Sequence, residues 1–209
     1  MPPKSVTIAI PTYKNMPSMF FMNFLALYTE TKKHFKTNLI FCDGTYIEQS
    51  RNTLVDLFLK RPADYLFFID SDMLVPPNTI SLLCKQNKDM VSGLYFGRSQ
   101  QGETHPMVSI KNEGVYSRLS SLSGELEEVD AVGFGCVLIK REVIEKISKQ
   151  IGEQPFFQNF FKTRTDIIGE DYYFCELAIK AEFSIFVDTS LQCGHIGGII
   201  DLKYYYANR

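Results

Sequence analysis

Asp70 and Asp72 stand two residues apart directly after the apolar run Tyr65-Leu66-Phe67-Phe68-Ile69, and Pro76-Pro77 prevent the strand from continuing. Two carboxylates at the lip of a hydrophobic strand repel each other unless a cation lies between them. A D-x-D turn can hold a hard divalent cation through one carboxylate and leave the other for a ligand hydroxyl. The same turn also reads as a solvated cap for the next helix, and only its position after YLFFI favours the metal. Two further groups could do chemistry. Gly169-Glu170-Asp171 opens a helix, where the acids either complement the helix dipole or aim a general base into a crevice. Cys193-Gly194-His195-Ile196-Gly197-Gly198 sets an imidazole among glycines, either as a structural residue or close to a metal or phosphate.

The elements that must position these groups alternate between short apolar strands and amphipathic helices, the pattern of a mainly parallel sheet covered by helices. Strands are expected at 5–11, 37–42 and 65–69, with helices at about 17–35, 46–60 and 78–86, the last capped by Asn78. The stretch 89–96 reads as a strand and 97–105 as a polar, mobile loop. HPMVSIK, GVYSRL and LEEVDAVGFGCVLIK read as strands of a smaller antiparallel or mixed extension. Helices follow at 140–151 and 170–182, then a strand at 184–188. No repeat or composition break divides residues 1–209, so one domain is expected. Ligands of open α/β sheets bind beyond the carboxyl ends of the strands. There Thr12-Tyr13, Asp43 and Asp70-Ser71-Asp72 would line one crevice if their strands are parallel neighbours.

Composition narrows the partners. The 22 Lys and Arg against 24 Asp and Glu leave a net charge of −2, so no basic excess points to nucleic acid, and KKHFK at 32–36 reads as the solvated end of a helix. No apolar run reaches the ~18 residues of a membrane span, and MPPKSVTIAI lacks the h-region of a signal peptide. The cysteines, five in number and never spaced as C-x-x-C, read as reduced core thiols in a cytoplasmic setting rather than as a zinc site.

Taken in order, IAIPTY, FCDG, EQSRN, FFIDSDM, VDAVGFGCVLIKREV, GEDYYFCELA and VDTSLQCGHIG resemble the motif series of GT-A-fold, metal-dependent glycosyltransferases of the broad family-2 type, over nearly the whole chain. More narrowly, the chain is similar to the N-terminal glycosyltransferase domains of large-DNA-virus (chlorovirus) proteins that glycosylate the capsid. The resemblance implies a GT-A fold and transfer of a hexose or deoxyhexose from a UDP-sugar to a hydroxyl of a glycan or glycoprotein acceptor. It implies Mn²⁺, with Mg²⁺ as a substitute, bound by Asp72 and His195, with Asp70 facing the ribose or the metal's water. Pro11, Thr12, Tyr13, Asp43, Arg51 and Ser71 would hold the nucleotide, and Gly133-Phe134-Gly135 would cradle the donor sugar. Asp171 would be the base and Glu170 would hold acceptor hydroxyls. With one base and no evident second nucleophile, direct displacement with inversion is expected. The chain stops at KYYYANR, short of many members, which fits one domain of a longer polypeptide.

Two rivals remain at this point. A sugar nucleotidyltransferase would use a metal in a similar crevice, but PTYKNMP lacks its glycine-rich loop. A carbohydrate- or nucleotide-sugar-binding module without catalysis would not need both D-x-D and GED.

Overall fold

The structure is a computed structural model and describes residues 4–13, 15–44, 46–98, 104–161 and 167–196. Its first half follows the sequence pattern closely. β1 (Ser5–Thr12) leads to α1 (Ser18–Thr31), β2 (Lys36–Asp43), α2 (Ile47–Leu59), β3 (Tyr65–Ile69), the short β4 (Met73–Leu74) and α3 (Thr79–Lys85). α1 ends at Thr31, and residues 32–35 form a turn whose His34 and Phe35 amides donate to the Thr31 carbonyl. Asn78 makes no side-chain cap. Instead the Thr79 hydroxyl donates to the Pro76 carbonyl at 2.7 Å and closes the turn into α3.

The second half holds β5 (Met90–Leu94), β6 (Phe96–Arg98), β7 (Thr104–Pro106), β8 (Val108–Asn112), β9 (Val115–Arg118), β10 (Leu126–Val129), β11 (Ala131–Val132) and β12 (Cys136–Lys140). Then come α4 (Arg141–Ile151), β13 (Phe160–Phe161), β14 (Ile167–Ile168), α5 (Glu170–Lys180), β15 (Ile185–Gln192) and β16 (Gly194–His195). The expected loop at 97–105 is partly a hairpin, because β6 and β7 pair antiparallel; residues 99–103 lie outside the described residues.

Among the described residues the central sheet has seven strands in the order β10-β15-β5-β12-β3-β1-β2. β1 runs parallel to both β2 and β3, as the strand-end argument required, with Thr12 opposite Asp43. The sheet as a whole is mixed rather than mainly parallel. β12 enters antiparallel between β3 and β5, so it belongs to the centre of the sheet and not to an extension. Its side chains from Cys136 to Ile139 are buried, as helices cover both faces of the sheet there. The antiparallel extension is the smaller sheet β11-β8-β9.

Each face carries its own apolar layer. α1 and α3 cover Val6, Ile8, Ile10, Phe67 and Ile69 with Phe20, Phe24, Leu27, Ile80 and Leu83. On the other face α2, α4 and α5 enclose a cluster of rings. Phe134 contacts Phe157 and Phe174 at 5.0 Å between centroids and Phe68 at 5.6 Å, edge to face. All five cysteines are free, and Cys136, Cys175 and Cys193 are buried. No helix among the described residues is long and apolar enough to cross a membrane.

Candidate active site

The carboxyl ends of β1 and β3 open onto a cleft of about 440 Å³. Pro11, Thr12 and Tyr13 form one wall, Asp70, Ser71 and Asp72 another, and the first turn of α2 with Tyr46, Glu48 and Ser50 a third. Tyr46 was not among the residues singled out from the sequence, and Glu48 and Ser50 stand within EQSRN, of which only Arg51 had been given a role. Asp43 stands exposed at the end of β2, and its neighbour Gly44 lines the cleft.

Arg51 is the centre of the site. Its side chain is 3% exposed, yet it reaches three carboxylates. Nη1 donates to Glu170 Oε1 at 2.8 Å and to Asp171 Oδ1; Nη2 donates to both oxygens of Asp70 at 3.1 Å. Its Nε finds no partner among the described residues, and the guanidinium lies over the rings of Phe134 and Phe157, centroids 5.4 and 5.9 Å away. Burial alone would lower the pKa of this cation. The charges of Asp171, Asp70 and Glu170 outweigh it and hold the guanidinium firmly protonated. Asn52 supports the arrangement from the next position. Its side-chain oxygen accepts from the Phe156 and Phe157 amides at 2.8 and 3.1 Å, which pins the ring beneath Arg51.

Asp171 therefore sits at the start of α5, held on one oxygen by Arg51 and on the other by the Phe134 amide at 3.3 Å. Burial pushes its carboxyl up to about 7, against the pull of Arg51 and with the help of Glu170 and Asp70. The backbone of Gly133-Phe134-Gly135 is thus wedged between the two acidic motifs, since the Gly135 carbonyl also accepts from the Asp70 amide at 3.2 Å. Phe134 keeps its ring in the core, so what it can offer a ligand is backbone. Both glycines are explained by Tyr95. Its hydroxyl accepts from the Gly135 amide at 3.0 Å, and a Cβ on Gly133 would lie 2.0 Å from that oxygen. Tyr95 was also missed from the sequence, where it reads as one more aromatic of a buried strand.

His195 is brought to the D-x-D turn by the pairing of β16 with β4, where it stands opposite Met73. Its Nε2 is 3.0 Å from Asp72 Oδ2, and its Nδ1 is 3.2 Å from the Phe96 carbonyl oxygen. A carbonyl only accepts, so Nδ1 carries a proton. A neutral imidazole would then turn its Nε2 lone pair on the Asp72 carboxylate, a contact that needs a proton or a metal cation between the two. The hydrogen bond to Asp72 accordingly raises the affinity of the imidazole for a proton. Among the described residues no group of three or more His, Cys, Asp and Glu side chains is placed so that it could hold a metal ion. A cation on Asp72 and His195 would take its remaining ligands from a bound molecule and water. Gly197 and Gly198 lie outside the described residues.

Fold and site together define a mixed α/β protein with an acidic cleft beyond the carboxyl ends of parallel strands. No protein-family model matches the sequence, and no curated protein matches it. Among solved structures the chain is similar to the crystal structure of A197 from STIV, at 21% identity and a TM-score of 0.59, over 92% of this chain and 85% of that one. At that identity the likeness concerns the fold alone.

Proposed function

We propose that the chain is a GT-A-type, metal-dependent glycosyltransferase that moves a hexose or deoxyhexose from a UDP-sugar to a hydroxyl of a glycan or glycoprotein acceptor, with inversion at the anomeric carbon. The observation that carries this reading is the meeting of D-x-D, GED and His195 at one lip of the sheet, with Arg51 joining the first two. An imidazole beside a carboxylate suits Mn²⁺, with Mg²⁺ the weaker substitute. Bound there, the metal would supply neutralising charge to the departing diphosphate.

The chain's own residues divide the remaining work. Pro11, Thr12 and Tyr13 would take the base, with Asp43 accepting its imide N–H and Asp70 and Ser71 beside the ribose and diphosphate. Asp171 would take the acceptor proton, and its pKa near 7 suits a base at neutral pH. Glu170 would hold acceptor hydroxyls. The cleft is wide enough for a nucleotide sugar, and its aromatic flank of Tyr13 and Tyr46 offers faces for a uracil ring. The motif resemblance makes a viral capsid glycoprotein the first acceptor to try, in the cytoplasm of the host.

The test is a thermal-shift screen of UDP-, GDP- and TDP-sugars with and without Mn²⁺, followed by product analysis with the stabilising donor. Ligands that bind only the folded state raise the midpoint by mass action. A UDP-sugar should stabilise in Mn²⁺ and not in EDTA, and should give a transferred product. Stabilisation by sugars alone, indifferent to nucleotide and metal, would make the domain a carbohydrate-binding module instead.

A further inference from the structure

β2 (Lys36–Asp43) is the last strand on its side of the central sheet and pairs only with β1 among the described residues. A parallel ladder engages alternate residues. The Lys36 amide donates to the Lys4 carbonyl and the Gly44 amide to the Thr12 carbonyl, so the even-numbered positions turn inward. The N–H and C=O groups of Thr37, Leu39, Phe41 and Asp43 therefore turn outward, and none has a partner among the described residues. Proteins commonly protect such an edge with a charge, a proline or a bulge. From Thr37 to Cys42 the strand reads TNLIFC, with none of the three and an unbroken register.

The side chains beside this edge are apolar. Leu39 and Phe41 lie on the face covered by α1; Leu39 packs against that core, while Phe41 is 45% exposed. Asn23 of α1 both donates to the Val75 carbonyl and accepts from its amide, which turns that flank of the helix toward the middle of the sheet. At 100° per residue the opposite flank carries Phe21, Leu25 and Tyr28, toward the open side of β2. Phe21 is 52% exposed.

We propose that this edge is a self-association surface: β2 pairs antiparallel with β2 of a second copy about a two-fold axis through Ile40, making one continuous sheet. The symmetry requires outward-turned residues to pair with outward-turned residues, and the strand satisfies it with itself. Leu39 stands opposite Phe41 of the second copy, and Phe41 opposite its Leu39. Thr37, whose hydroxyl donates to the Phe35 carbonyl at 3.1 Å, stands opposite Asp43 at both ends. Half-exposed, Phe21 and Phe41 each have on the order of 100 Å² left to bury. With Leu25 and the strand backbone from both copies, the pairing covers on the order of 1,200 Å², the lower end of specific interfaces. A net charge of −2 per copy opposes it little.

Sedimentation velocity on the full chain over a concentration series tests the surface, together with residue-resolved amide exchange. The wild type should dimerise, and the amides of Thr37, Leu39, Phe41 and Asp43 should gain protection as the dimer forms, while Asn38 and Ile40 are protected throughout. Phe41→Pro removes an outward N–H and keeps every bond to β1; Phe41→Lys keeps the backbone and adds a charge. Each should weaken dimerisation on the order of a hundredfold. Transfer activity is not needed for any of these readouts, so they stand apart from the proposed reaction. A wild type that stays monomeric overturns the proposal, even if those amides are protected, since another part of the chain would then cover the edge. So does a dimer that survives Phe41→Lys with the outward amides still exchanging freely.

Discussion

His195 Nε2 and Asp72 Oδ2 lie 3.0 Å apart although 123 positions separate them in the chain. The contact is made by the pairing of β16 with β4, and the Phe96 carbonyl on Nδ1 fixes which ring nitrogen faces the carboxylate. Ligand imidazoles are commonly oriented in this way.

Replacing either partner should therefore act on metal binding more than on folding. For Asp72→Asn or His195→Ala, calorimetry should show Mn²⁺-dependent UDP affinity reduced by about tenfold or more. Melting in EDTA should stay close to that of the wild type, because both side chains are partly exposed. A large loss of stability in EDTA would make His195 a structural residue.

Arg51→Met should be the most damaging single change at the site. It leaves Asp70, Glu170 and Asp171 facing one another without their shared cation. Breaking a buried ion pair from one side costs about 3–5 kcal/mol. Arg51→Lys should restore only part of this, since an ammonium cannot span the three acceptors as the planar fork does. Urea denaturation of the three proteins checks the order.

Gly133→Ala forces a methyl group onto the Tyr95 hydroxyl, and overpacking of that kind costs about 1–3 kcal/mol. In a Tyr95→Phe background the oxygen is gone, and the same substitution should cost clearly less than in the wild type. A double-mutant cycle on melting temperature measures the difference. Additive effects would mean that Tyr95 does not shape the turn.

Asp171→Asn should bind UDP-sugar and Mn²⁺ like the wild type and transfer about 10²- to 10⁴-fold more slowly. The fold should change little, because Arg51 keeps Asp70 and Glu170. The base acts only when ionised, and burial pushes this carboxyl up to about 7. Wild-type transfer should therefore rise with pH through about 7 and fall away below it. A profile flat through the neutral range, or normal transfer by the variant, would leave Asp171 as a helix start only.

The sequence by itself determined the local matters. An apolar run and the carboxylates that follow it are neighbours in the chain, so β3 and its D-x-D lip were legible, as were the two acids opening α5 and the polar ends of β1 and β2. Hydrophobic period and chain direction are enough for these. What the tertiary structure decided is which distant segments meet. CVLIK reads the same at the centre of a sheet as in an extension, so nothing local announces that β12 divides β3 from β5. The motif resemblance gave Arg51 a role at the nucleotide, but its hold on Glu170 and Asp171, 119 and 120 positions away, depends on the ring layer of Phe134, Phe157 and Phe174 that seats α5 against α2. Tyr95 and Gly133 likewise share a space only because β5 and the turn before β12 are packed together. Pair choices of this kind follow from how volumes fill a common core, and a volume match between segments far apart leaves no period in the chain that carries it.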